Sequence, residues 1–156
     1  MQLITVAIAD ENAKRREKFE CMLQDDPSVR VLANIQTIED VLTTTARLKP
    51  RILFISLKHC AEADGEILLS MNRECPETLV VLLADESARQ GEQIMLALAK
   101  GARGYLDFEL DPILVSKAVL VIDRGEAWVP RKMLGHIMDH VLHWCHDGLL
   151  TPAMIK

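Results

Sequence analysis

The stretch ARGYLDFELDPILVSKAVLVIDRG, residues 102–125, decides the fold. It opens on a short apolar run, Ala102 to Leu106, long enough for a strand and too short for a helix. Asp111 then offers an N-cap, and Pro112 a first helical residue whose missing N–H would have had no partner there anyway. Leu114, Val115, Ala118, Val119 and Ile122 recur as one apolar stripe, and Gly125 ends it. Together these residues make one strand followed by one amphipathic helix.

The same unit recurs four times upstream. Leu3 to Ala9, Val29 to Ile35, Ile52 to Leu57 and Leu79 to Ala84 are continuous apolar runs bounded by turn formers or charge. Runs without polar alternation suit strands buried on both faces of a parallel sheet. Helical patterns fill the gaps over 12–25, after Thr37, over 64–74 and over 87–100. In the first of these, Phe19, Met22 and Leu23 share one face. In the second, Thr37 is the expected cap with Asp40 three residues on, followed by Val41, Leu42, Thr45 and Leu48. Five strand–helix units predict an α/β fold, a (βα)5 doubly wound parallel five-stranded sheet, with a C-terminal linker helix.

That helix is expected over 131–146. Leu134, Met138, Val141 and Cys145 recur at spacings of 4, 3 and 4, joined by Ile137 and Leu142, and form a stripe for the core or for an interface. His136, His140 and His143 fall within about 60° of arc on the opposite face. Together with His146 they read as a solvated surface rather than a transition-metal site. The expected organisation is a domain over 1–126, a linker and sixth helix over 127–148, and a further segment from 149 to 156.

Composition bounds the function. The 156 residues are 49% hydrophobic and 26% charged, which suits one globular domain and excludes a disordered chain. A net charge of -5 gives no field for holding nucleic acid. No uncharged run approaches the roughly 20 apolar residues of a membrane span. Cys21, Cys60, Cys75 and Cys145 form neither a C-x-x-C motif nor a disulfide pattern, and the N-terminus does not read as a secretion signal. A cytoplasmic domain with no membrane contact and no cofactor is expected. Cys60, beside His59, is expected to be a buried thiol rather than a reactive one, and Trp128 to pack the linker against the domain.

In an open parallel sheet the working crevice lies at the carboxyl ends of the strands. Those ends carry Asp10 and Glu11, Ser56, Ala84 with Asp85, and Asp107 with Phe108. Here the chain resembles the receiver domain of bacterial response regulators of the NarL/LuxR transcription-factor type, over about residues 3–130. IADEN (8–12), KPRILFISL (49–57), ETLVVLLAD (77–85), KGARGYLDFEL (100–110) and GEAWVP (125–130) carry the likeness.

The resemblance implies a phosphoryl-accepting site. In such a site an aspartate carboxylate attacks phosphorus, Mg²⁺ bridges it to an acidic pair, and a hydroxyl and a lysine hold the transferred group. Here the acidic pair is Asp10 and Glu11, and the switch aromatic is Tyr105. The acceptor position holds Ser56, the hydroxyl position Ala84 and the lysine position Phe108. Serine supplies no carboxylate, and its hydroxyl needs an adjacent base; no histidine is expected at a strand end. Asp10 and Glu11 remain weak metal candidates, and their simpler role is to cap the first helix and complement its dipole. Tyr105 is expected to be packed and static.

The expected function is a phosphorylation-independent receiver domain of a transcriptional regulator. It is not an enzyme, and it works through protein contacts or a homodimer. Leu150, Thr151 and Pro152 resemble the opening of a helix-turn-helix, so DNA would be bound by a C-terminal domain outside this chain. The alternatives are a stand-alone interaction module and a phosphorelay receiver with a displaced acceptor among Asp64, Asp85 and Asp107.

Overall fold

The computed structural model describes residues 3–61, 66–84, 91–107 and 111–129, together with 134, 135, 137–139 and 142. Five strands, β1 (Ile4–Ala9), β2 (Val29–Ile35), β3 (Ile52–Ser56), β4 (Leu79–Ala84) and β5 (Gly104–Asp107), form one sheet in the order β2-β1-β3-β4-β5. Every pairing is parallel. The helices are α1 (Ala13–Gln24), α2 (Ile38–Leu48), α3 (Leu57–Ala61), α4 (Glu66–Glu74), α5 (Gly91–Ala99) and α6 (Pro112–Asp123). The expected doubly wound fold is present. The strand order reverses beside β1, which puts the crevice at the carboxyl ends of β1 and β3.

The runs of β1, β3, β4 and β5 are buried because both faces are covered, whereas β2, at the sheet edge, buries only Val29 and Ile35, contrary to the expectation of burial on both faces. On one face Ile4, Val6, Ile8, Ile52, Phe54, Val81, Leu83 and Leu106 pack against α1 and α6. On the other, Ala7, Ala9, Leu53, Ile55, Leu82, Ala84 and Tyr105 pack with residues of α2, α4 and α5. From α1, Phe19 stands edge-on to Phe54 of β3, with ring centroids 4.9 Å apart at 67°. That contact seats the first helix over the middle of the sheet.

Asp111 caps α6 by accepting from the Ile113 amide, with Pro112 at the first turn, and Gly125 follows the helix at φ +89°. Four details depart from the sequence reading. Leu114 is substantially exposed, and only Val115, Ala118, Val119 and Ile122 of its stripe are buried, because the covered arc of α6 is narrower than the apolar one. Thr37 does not cap α2 through its side chain. Its hydroxyl instead donates to the Asp40 carboxylate at 2.9 Å and accepts no amide of the first turn. The third strand stops at Ser56, and Leu57 already opens α3, a helix absent from the sequence reading. β5 begins at Gly104 rather than Ala102.

Beyond α6 the chain returns to the sheet edge. Trp128 makes a parallel bridge to Gly104; its amide donates to the Arg103 carbonyl, and its carbonyl accepts from the Tyr105 amide at 2.9 Å. A Cβ at position 104 would collide with the Trp128 carbonyl, so this approach requires glycine. The Trp128 side chain is partly buried against the core, as expected. In the C-terminal stripe Leu134, Met138 and Leu142 are exposed. Val141, Cys145 and the histidines at 136, 140, 143 and 146 lie outside the described residues, as do residues 150–152. No helix among the described residues is long and apolar enough to cross a membrane.

Candidate functional site

β1 and β3 run in parallel with Ala9 beside Ile55, so Asp10 and Ser56 leave the sheet side by side. Both are buried, at 1% exposure. Asp10 is not the cap of α1. That role falls to Asn12, whose side chain accepts from the Arg15 amide, while Asp10 accepts from the Asn12 amide one step earlier. Asp10 is instead the anchor of an ion-pair network. Arg15 meets it with two nitrogens, Nε on Oδ2 and Nη2 on Oδ1, both at 2.9 Å. The same Nη2 donates to Glu11 Oε1 at 3.2 Å. Arg16 Nη1 donates to the Asp10 carbonyl at 2.6 Å.

Glu11 reaches across to β3. The Ser56 hydroxyl donates to Glu11 Oε2 at 3.1 Å and accepts, at 3.3 Å, from the amide of His59. That amide bond is possible because α3 starts directly after Ser56, which turns the first amides of the helix back on the hydroxyl. Lys58 Nζ lies 3.9 Å from Glu11 Oε1. His59 is buried, with Nε2 3.4 Å from Glu11 Oε2. The direction is wrong for a hydrogen bond, and neither ring nitrogen has a hydrogen-bond partner among the described residues. A histidine therefore does stand at a strand end, contrary to the sequence reading. It is brought there by the unforeseen helix.

Asp10 and Glu11 by themselves would leave this corner of the crevice anionic. Arg15 and Lys58 offset these two carboxylates one for one. Arg15, Lys58 and His59 are the residues that sequence reasoning missed. The one available signal was the spacing of four between Glu11 and Arg15, a distance at which opposite charges meet near a helix start.

Ala84 ends β4 in register with Asp107 and is buried, and Tyr105 is buried among the side chains of the α2–α4–α5 face. Phe108, Asp64 and Asp85 lie outside the described residues. Among the described residues no group of three or more His, Cys, Asp or Glu side chains could hold a metal ion. Burial pushes the Cys60 thiol up to about 12, and Cys75 is also raised, first by burial and then by the Glu74 charge. Cys21 is exposed. Alkylation of the native chain at pH 8 is expected to label Cys21 and to spare Cys60 until denaturant is added. Peptide mapping that finds Cys60 labelled as fast as Cys21 would contradict its burial.

No family model matches the chain. The isolated REC domain of RcsB from Salmonella enterica serovar Typhimurium superposes with a TM-score of 0.71 at 16% identity, over 83% of this chain and 95% of that one. The chain folds as a response-regulator receiver domain.

A LuxR family DNA-binding response regulator from Silicibacter pomeroyi is 27% identical to this receiver domain. It covers 83% of this chain and 99% of its own, with a TM-score of 0.68. Among curated proteins the receiver domain is 24% identical, over 127 residues, to the probable transcriptional regulatory protein SgaR of Hyphomicrobium methylovorum. That match takes in 81% of this chain and 59% of the relative. It is also 24% identical, over 97% of its length, to the oxygen regulatory protein NreC of Staphylococcus haemolyticus, covering 70% of that protein. The chain thus spans about three-fifths of the first relative's length and seven-tenths of the second's.

Proposed function

We propose that this receiver domain belongs to a cytoplasmic transcriptional regulator and acts without aspartyl phosphorylation, through protein contacts rather than catalysis. One observation carries the reading. Where the receiver resemblance expects an acceptor carboxylate, Ser56 is buried and its hydroxyl is held between Glu11 and the His59 amide. A nucleophile must be reachable in line by the phosphoryl donor, and this oxygen is enclosed. Ala84 offers no hydroxyl for a transferred group, and the sequence has Phe108 where a lysine would be expected.

The regulator's output is assigned to a C-terminal DNA-binding segment outside this chain. Both curated relatives are longer than the match, and one is a probable transcriptional regulatory protein, which supports that assignment. The acidic net charge of the receiver domain agrees with leaving DNA to another part of the protein. Leu134 and Met138, exposed on the C-terminal stripe, with Val141 and Cys145, are the surface we assign to pairing with a second copy or a protein partner.

Incubation with acetyl phosphate and Mg²⁺, followed by intact-mass spectrometry, is expected to leave the mass unchanged. A stoichiometric phosphoryl adduct would refute the proposal. Its hydroxylamine lability would then identify a displaced aspartate as the acceptor.

A further inference from the structure

We infer that Arg15 is a resident counterion of the acidic crevice and keeps divalent cations out of it. The receiver resemblance implies Mg²⁺ on the acidic pair, and the residues present do not fit that ion. Mg²⁺ demands near-octahedral oxygen ligands and binds through carboxylates whose lone pairs are free to face it. Here all four carboxylate oxygens are engaged. Asp10 Oδ1 takes Arg15 Nη2 and the Asn12 amide, and Asp10 Oδ2 takes Arg15 Nε. Glu11 Oε1 takes Arg15 Nη2, and Oε2 takes the Ser56 hydroxyl.

The third anionic ligand expected from β3 is replaced by Ser56, a neutral group that donates inward. The guanidinium is planar and always charged, and it matches a carboxylate fork. It is therefore a counterion that neither dilution nor chelation can remove. Its place is set by the fold. Asn12 caps α1 through the Arg15 amide, and Phe19, one turn further on, is locked against Phe54. Arg15 is thus held at the helix start beside Asp10. The acidic pair of this receiver domain has a permanent counterion rather than one conditional on metal.

The test uses Mn²⁺ as the probe, followed by electron paramagnetic resonance on the whole chain without any phosphoryl donor. The wild type is expected to show no saturable Mn²⁺ binding in the millimolar range. Arg15→Gln, which removes the charge and keeps a polar chain of similar length, is expected to bind Mn²⁺ at least roughly tenfold more tightly. Adding Asp10→Asn to it should abolish that binding. Arg15→Lys, which keeps a cation in place, should resemble the wild type. If Arg15→Gln loses its circular dichroism spectrum, added Mn²⁺ is expected to restore it.

Saturable binding by the wild type that disappears in Asp10→Asn would overturn the inference. So would a folded Arg15→Gln that binds no better than the wild type, or an unfolded one that Mn²⁺ does not rescue. A phosphoryl adduct formed elsewhere on a chain that still excludes Mn²⁺ would refute the proposed function and leave this inference standing.

Discussion

Placing a carboxylate at Ser56, where the receiver resemblance implies the acceptor, by Ser56→Asp, is expected to destabilise the receiver domain by about 3 kcal/mol at neutral pH and to create no phosphoryl acceptance. In a metal-dependent receiver a third carboxylate would be balanced by the cation. Here it would be placed beside two carboxylates that Arg15 and Lys58 already offset one for one. Ser56 is buried, and its hydroxyl is the donor on Glu11 Oε2, 3.1 Å away. An aspartate there loses the donor and adds a like charge beside Glu11. It also leaves the His59 amide facing a displaced oxygen. Burial and the Glu11 charge hold the new carboxyl above the ordinary aspartate range. A carboxyl raised in the folded state penalises folding only while ionised. The deficit against wild type should therefore be full above the raised value and should shrink as the pH falls through it toward about 4. Urea titrations of both proteins between pH 4 and pH 8 measure this. A variant as stable as the wild type at neutral pH would show that the crevice tolerates a third carboxylate and that Arg15 and Lys58 have charge to spare.

Phe54→Ala is expected to cost about 4 kcal/mol, the range for emptying a fully enclosed aromatic site. Phe54 is the largest fully buried side chain of the central strand β3. Its neighbours in register are Ile8 and Val81, and its ring meets Phe19 edge-on. The sheet backbone cannot collapse into the space because it is held by ladders to β1 and β4 on either side. The consequence reaches the crevice, since Phe19 and Arg15 lie one turn apart on α1. Loosening Phe19 is expected to loosen the hold of Arg15 on Asp10. Denaturant unfolding measures the stability loss, and Mn²⁺ binding by this variant would register the second effect. Phe54→Leu, which fills most of the volume, should lose less than half as much stability.

The layout of the domain was legible because it depends on local pattern. Five short, mostly apolar runs, each followed by a helical stripe, admit few topologies once crossover connections are right-handed. The position of the crevice follows from that layout, and Asp10, Glu11, Ser56 and Ala84 follow from reading the strand ends. The helix over 57–61 was not legible. LKHCA is too short to show a period, and Leu57 continued the apolar run of the strand. With that helix unseen, His59 could not be placed near Glu11.

The sequence by itself determined which residue types stand at the crevice and which chemistry they lack. A serine cannot become a carboxylate in any packing, and Ala84 cannot donate. What those residues do instead was decided only in the tertiary structure. Ser56 and Glu11 are 45 positions apart and meet because β1 and β3 are neighbours in the sheet. Arg15 could have pointed to solvent from the first turn of α1. It lies across both carboxylates because Asn12 starts the helix at that point and Phe19 fixes its rotation against Phe54. Local periodicity says which face of a helix is buried. The meeting of one guanidinium with two carboxylates depends on a few degrees of helix rotation and on side-chain directions that only the packed core sets.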